Sequence, residues 1–315
     1  MRKPAIIAIA LLLAAAPPLA ASRAADAPDS GQLQWYAGPN ARPHFPPAVE
    51  KLVSQGIALM TRHEWRTAIA KFDQALRIMP GAAAIYENRA ACYQQLGKFE
   101  RAIADYNRAL RLAPEMAPVV YENRAYCYKG LGKLPLALAD FNRALELAPQ
   151  RKNPLLLSRG RLLVDMGEMK KAEEDFNKAL TFRQIRAQAY SELAYIAIGR
   201  GDFPSCLSLA SNAIRTDPRF ADGWANRGAC QIALGRYRHA IRDLSIAIAL
   251  DPAVPAAYLN RSAAYAAIGN CPKALNDANA AVRLAPDRAD AARRLVASCQ
   301  RRSPAPAADP KLKFM

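Results

Sequence analysis

Residues Tyr86 to Pro114 read YENRAACYQQLGKFERAIADYNRALRLAP, and Tyr121 to Pro149 read YENRAYCYKGLGKLPLALADFNRALELAP. Two copies of one pattern, 35 residues apart, mean a supersecondary unit that is repeated and stacked. Used as a ruler, the pattern organises most of the chain from Val49 to Asp287. Seven units start at Val49, Ala83, Pro118, Asn153, Ala187, Ala221 and Pro255. The 315-residue length would otherwise suggest two domains, but a stacked array grows by addition and needs no second core.

Each recurring position has a physical reason. The fifteenth residue is glycine in six units (Gly97, Gly132, Gly167, Gly201, Gly235, Gly269) and His63 in the first. Apolar residues at three- and four-residue spacing flank it, so each unit is two amphipathic helices broken at that point. A glycine there takes the left-handed conformation that ends the first helix. The eighth, twentieth and twenty-seventh positions are small, as in Ala90, Ala102 and Ala109, which lets the paired helices cross closely. Proline closes six units and stops the second helix, with Gln184 the exception. One pair cannot bury its apolar face alone, so neighbours must supply the core.

Tyr86, Ala90, Tyr93, Gly97, Phe99, Ala102, Tyr106, Ala109 and Pro114 resemble the tetratricopeptide signature. Trp224, Gly228, Gly235, Tyr237, Ala240, Ala247 and Pro252 resemble it a second time. The resemblance covers about three quarters of the chain. It implies an all-α fold, a right-handed α-solenoid of about seven stacked helix pairs. A stretch from Arg288 to Arg301 resembles the terminal capping helix. The array is thus expected over 49–301, with a disordered tail over 302–315.

Upstream of the array, Arg2 and Lys3 precede an apolar run, AIIAIALLLAAA, from Ala5 to Ala16. Basic residues, a short apolar run and small residues predict a signal peptide over 1–24, cut after Ala21 or Ala24. The run falls short of the roughly 20 residues that span a bilayer. This predicts an exported, most simply periplasmic, protein with no transmembrane span after cleavage. Residues 25–48 hold five prolines and two glycines and read as a flexible leader, in which Trp35, Tyr36 and Phe45 could dock on the first repeat.

The seventh residue is Arg89, Arg124, Arg159, Arg227 and Arg261 in five units. The twenty-third residue of those same units is Asp105, Asp140, Asp175, Asp243 and Asp277. Units lacking the arginine, with Gln55 and Leu193, carry Lys71 and Leu209 in place of the acid. This joint occurrence predicts five ion pairs joining the two helices of a unit, a structural use rather than a catalytic one.

In the tetratricopeptide family the first helix of each unit lines a concave groove. The sixth residue there is Asn88, Asn123, Asn226 or Asn260, with Ser54 in the first unit and Ser158 and Glu192 interrupting the row. The row resembles an asparagine ladder that hydrogen-bonds the main chain of an extended peptide; the alternative is a set of solvated asparagines. Other groove positions in this frame are Glu87, Gln94, Gln95, Glu122, Tyr126, Lys129, Arg161 and Tyr195. Ala225, Ala229, Ile232, Leu259, Ala263 and Ala266 follow toward the C-terminus, which predicts a groove that turns from polar to apolar. The expected partner is an extended peptide or a helix.

Six cysteines in an oxidising compartment invite pairing. Cys206 in a second helix should lie against Cys230 in the next first helix, and Cys271 against Cys299 in the capping helix, so those two bridges are expected; the alternative is six small buried thiols. No Cys-x-x-C, metal spacing among His44, His63 and His239, phosphate-binding glycine loop or Gly-x-Ser-x-Gly element occurs. No enzyme activity, cofactor or metal is therefore expected. The net charge of +17 opens a second possibility. An anionic polymer or lipid surface could bind outer-face residues such as Arg108, Arg111, Arg143, Arg151 and Lys152. Nucleic acid is not an expected partner of an exported chain.

Overall fold

A computed structural model describes residues 45–147 and 152–300. The predicted signal peptide, Trp35, Tyr36, His44, Pro149, Arg151 and the tail from residue 301 lie outside them. The described residues form fifteen α-helices and contain no strand. They divide into two compact units, 45–175 and 176–300.

In the N-terminal unit α1 (Pro47–Thr61) pairs with α2 (Trp65–Ile78), and α3 (Ala83–Gln95) with α4 (Phe99–Leu112). There α5 (Ala117–Gly130) pairs with α6 (Leu134–Leu147), followed by α7 (Lys152–Asp165) and α8 (Met169–Ala179). The division between the units falls within α8. In the C-terminal unit α9 (Arg186–Gly199) pairs with α10 (Phe203–Thr216), and α11 (Ala221–Ala233) with α12 (Tyr237–Leu250). Then α13 (Pro255–Ala267) pairs with α14 (Cys271–Leu284), and α15 (Ala289–Gln300) packs on both. Within each unit the order is that of an α-solenoid, each second helix packing on the next first helix.

The helix breaks explain the glycine at position fifteen. Gly97 has φ 68°, and the other five glycines have φ between 68° and 78°. Around Gly97 the Gly97 N–H donates to Gln94 O, and the Lys98 N–H to Tyr93 O. Those two bonds satisfy carbonyls that the ending helix leaves orphaned. His63 adopts φ 61° at the same point and makes the same pair of bonds, to Met60 O and from Glu64 to Leu59 O. Here the turn dictates the backbone and the side chain tolerates it.

Packing explains the small residues. A Cβ placed on Gly56 would sit 2.6 Å from the Phe72 ring, and one on Gly228 2.6 Å from Leu244 Cγ. Phe72 and Leu244 are both fully buried, so the missing methyl is filled by the facing side chain. Ser262 takes the same position in the last repeat and donates to Ala274 O at 2.7 Å, which satisfies its buried hydroxyl. Phe45, assigned to the leader in the sequence, is buried against the first cluster with Val49 and Val53, and α1 opens at Pro47. Those residues belong to the folded unit, because Phe45 covers apolar surface at the start of the first helix pair.

Candidate partner-binding face

Five arginines organise the interior of the repeats. Arg89 donates from Nε to Asp105 Oδ2 and from Nη2 to Asp105 Oδ1, both at 2.7 Å. Arg124 holds Asp140, Arg159 holds Asp175, Arg227 holds Asp243 and Arg261 holds Asp277 in the same two-toothed way. These carboxylates are deep, and Asp243 is 0% exposed. A planar fork meeting a carboxylate edge-on is the geometry that lets such a charge be buried.

The third nitrogen does something that pairing positions seven and twenty-three did not reveal. Nη1 of Arg89 donates to Asp73, Arg124 to Asn107, Arg159 to Asn142 and Arg261 to Ser245. Each acceptor is the twenty-fifth residue of the preceding repeat. One guanidinium therefore ties two helices of its own repeat to the second helix before it. Aromatic rings cover the flat faces of several: Arg89 lies over Tyr86 and Tyr93, Arg124 over Tyr121 and Tyr128, and Arg227 over Trp224. The aromatics at positions four and eleven thus shield a charge as well as fill space. In the repeat that carries leucines at both positions, Leu193 is buried and Leu209 packs on the apolar cluster of Ala194, Cys206 and Ala210.

The asparagine row is largely buried rather than solvated. Asn88, Asn123, Asn226 and Asn260 are all more than nine-tenths buried. Asn88 Nδ2 donates to Ala84 O of its own helix, and Asn123 Nδ2 to Glu87 Oε1 at 3.4 Å. Asn226 Nδ2 reaches back to Ser191, donating to its carbonyl at 3.0 Å and its Oγ at 2.8 Å. Of the C-terminal positions expected to line an apolar groove, Ala225, Ala229, Ile232, Ala263 and Ala266 are buried. Alanine and glycine let α9, α11 and α13 touch directly, and Ala225 and Ile232 join a core cluster with Ala257 and Ala264. Leu259 and Tyr195 stay partly exposed.

The N-terminal unit keeps a more open face. Glu87, Tyr126, Ser158 and Arg161 are partly exposed, Ser54 and Gln95 are exposed, and Glu122 is buried. Tyr126 and Ser158 share a hydrogen bond at 2.6 Å, and Lys129 pairs with Asp165 at 3.2 Å. Glu87 is accessible at one edge, yet burial of the rest raises its carboxyl from the usual 4.5 to about 7. On the outer face Arg108, Arg111 and Arg143 are exposed, and Arg143 pairs with Glu146 at 2.9 Å.

Tetratricopeptide repeat models match residues 83–116 and 118–151, 154–185, and 231–289, together half of the chain. The chain belongs to the tetratricopeptide repeat family. Rat sperm-associated antigen 1 is 40% identical over 63 residues, which are 20% of this chain and 7% of that protein. Small glutamine-rich tetratricopeptide repeat-containing protein 2 of Saccharomyces cerevisiae is 32% identical over 65 residues, 21% of this chain and 19% of that one. Tetratricopeptide repeat protein 36 of Caenorhabditis elegans is 40% identical over 63 residues, 20% of this chain and 35% of its own length. The chain therefore spans well under half the length of these curated relatives. Among solved structures, a tetratricopeptide protein of Parabacteroides merdae superposes with a TM-score of 0.66 at 21% identity, over 81% of this chain and 100% of that one. Yeast Tom70 superposes with 0.61 at 18% identity, over 82% and 58%. These structures share the fold.

The tetratricopeptide module is generally one of protein–protein interaction rather than catalysis. Among the described residues no group of histidine, cysteine and acidic side chains could hold a metal ion, and no helix is long and apolar enough to cross a membrane. Cys206 is bonded to Cys230 and Cys271 to Cys299, with Cα separations of 6.1 and 5.7 Å. Cys92 and Cys127 are free and buried. Burial pushes both thiols up to about 12, with the Glu87 charge adding to the effect at Cys92. Gln94 Oε1 accepts from Tyr106 Oη at 3.0 Å and from Cys127 Sγ at 3.5 Å, so this tetratricopeptide interior holds a satisfied polar cluster.

Proposed function

We propose that the protein is a non-catalytic scaffold that binds an extended peptide or a partner helix on the first-helix face of its N-terminal unit, outside the cytoplasm and in cell-envelope assembly. The observation that carries the choice of face is the contrast between the units. Glu87, Gln95, Tyr126, Ser158 and Arg161 keep accessible surface on α3, α5 and α7, whereas Ala225, Ala229 and Ile232 of α11 are sealed. Mixed acidic, basic, amide and aromatic groups suit recognition of a polypeptide, which offers both main-chain and side-chain contacts. Export is supported by the basic-then-apolar start of the sequence and by the two disulfides, which persist in oxidising compartments.

The test is blockade of that face. Ser54 and Gln95 are exposed, so Ser54→Arg with Gln95→Arg should spare the fold and obstruct the site. Affinity capture from an extract of the source cells, compared by mass spectrometry, should lose specific partners with this variant. It should keep them with Arg108→Glu and Arg111→Glu on the outer face. The opposite pattern, together with release at about 0.5 M salt, would instead favour an anionic polymer or lipid surface on the basic face.

A further inference from the structure

Glu87 is a carboxylate that the N-terminal unit leaves without a cation. Asp105, Asp140 and Asp175 of the same unit each hold an arginine with both oxygens. Among the described residues no arginine or lysine pairs with Glu87, and the hydrogen bond it accepts, from Asn123 Nδ2, is long at 3.4 Å. The groups behind it do not help. Its charge reaches Cys92 and Tyr106, yet Tyr106 gives its one O–H to Gln94 Oε1 at 3.0 Å. The open side is the first-helix face, where Glu87 keeps accessible surface and the small, partly exposed Ala91 stands one turn farther along α3. The flanking helices α1 and α5 bring the uncharged Ile57 and Tyr126 to that face. Lys129, farther along α5, holds Asp165.

We propose that Glu87 receives a cationic side chain of the polypeptide partner, an arginine or lysine that enters past Ala91 and does for Glu87 what Arg89 does for Asp105. This rests on the first-helix face of the N-terminal unit being the binding site. A mostly buried carboxylate with one weak donor gains more from a charge-assisted bond than from any neutral contact. Burial lifts its carboxyl to about 7, and a bound cation would return it toward the ordinary range by stabilising the ionised form. Binding is therefore linked to that proton. Above pH 7 Glu87 is already ionised and affinity is level; below 7 the proton must leave first, and affinity falls about tenfold per pH unit. The other groups packed around it stay neutral there. Burial pushes the thiols of Cys92 on α3 and Cys127 on α5 up to about 12, and the Tyr106 phenol on α4 well above its usual range. Ser54 and Ile57 on the facing side of α1 do not titrate in this range. Glu122 on α5 is the other acid at this register position, and the Glu87→Gln variant separates its contribution.

The experiment titrates three peptides, acetyl-Gly-Gly-X-Gly-Gly-amide with X arginine, lysine or citrulline, into the full chain. Backbone amide shifts of α3 and α5 are followed by NMR at pH 8 and pH 6. Citrulline keeps the shape of arginine without its charge. At pH 8 the arginine or the lysine peptide should bind about tenfold or more tightly than the citrulline peptide, and the two cationic arms show which side chain fits. The tighter one should lose about tenfold in affinity at pH 6. Glu87→Gln keeps a carbonyl to accept from Asn123 and should abolish both differences. Equal binding of all three peptides at α3 and α5 would overturn the cation site and leave the face as a peptide site. Binding of none would overturn both readings. A preference for charge that survives in Glu87→Gln would assign it to Glu122 and overturn the role of Glu87.

Discussion

Nη1 of Arg89 donates to Oδ1 of Asp73 at 2.6 Å, and the two residues belong to different repeats. The same guanidinium grips Asp105 with its other two nitrogens, so one side chain couples three helices. Nearest-neighbour coupling is what makes a stacked array cooperative, and here these hydrogen bonds add to the apolar contacts between repeats. Removing only one member would strand a buried ion, which costs about 3–5 kcal/mol.

Arg227 and Asp243 allow that cost to be separated from the worth of the pair. The neighbouring repeat carries Leu193 and Leu209 at the same two positions, so an apolar version already exists in this chain. Arg227→Leu alone should destabilise by about 3 kcal/mol, because Asp243 stays fully buried without its partner. Adding Asp243→Leu should restore most of the loss. Urea unfolding of the two single variants and the double variant tests this. Additive losses would show that the pair is not a coupled unit.

The helix pairs were legible because each demands a particular residue at a particular place, such as the left-handed turn at Gly97. Arg89 with Asp105 was legible because Gln55 with Lys71 and Leu193 with Leu209 break both positions together. The acceptors Asp73, Asn107, Asn142 and Ser245 stood at one register position too, and their shared hydrogen-bonding character was the missed signal. How tightly the face around Asn226 packs was not legible for a different reason. Register tells which way a side chain leaves its helix, but whether neighbouring first helices close over it depends on how small both are. Ala225, Ala229 and Ala257 are small enough for that closure.

His63 offers a direct measure of backbone cost. It holds φ 61° where the six equivalent residues are glycine. A non-glycine residue in that conformation loses about 1 kcal/mol, partly offset by the edge-on contact of His63 with Trp65 at 5.3 Å. His63→Gly should therefore stabilise the N-terminal unit by up to about 1 kcal/mol. A lower urea midpoint for the variant would mean that the ring contact outweighs the turn.

The cysteines divide between the units. Both disulfides lie in the C-terminal unit, closing separations of 24 and 28 residues, and both free thiols lie in the N-terminal one. Loops of that size contribute about 3 kcal/mol each by limiting the unfolded chain. Reduction should accordingly lower the stability of the C-terminal unit and leave the N-terminal unit unchanged. Labelling of the unfolded, unreduced protein should find two thiols, Cys92 and Cys127. Six would exclude both bridges.

Glu87 makes stability depend on pH in the direction opposite to most acids. Burial raises its carboxyl from 4.5 to about 7, while the unfolded chain keeps the usual value. Below pH 4.5 the residue is protonated in both states and imposes no cost. Between 4.5 and 7 the unfolded state gives up its proton and the folded state holds it, so stability falls as pH rises. Above 7 the folded carboxyl ionises too and the penalty levels off, at up to about 3 kcal/mol from 1.36 kcal/mol per pH unit. Solvent at the exposed edge of the side chain lowers that figure. Glu87→Gln removes the titration and keeps a carbonyl to accept from Asn123, whose Nδ2 lies 3.4 Å from Oε1. The variant should match the wild type in urea at pH 4 and exceed it by about 2 kcal/mol at pH 8. Because every other group is common to both proteins, a difference that does not change between those two pH values would show that the Glu87 carboxyl is hydrated.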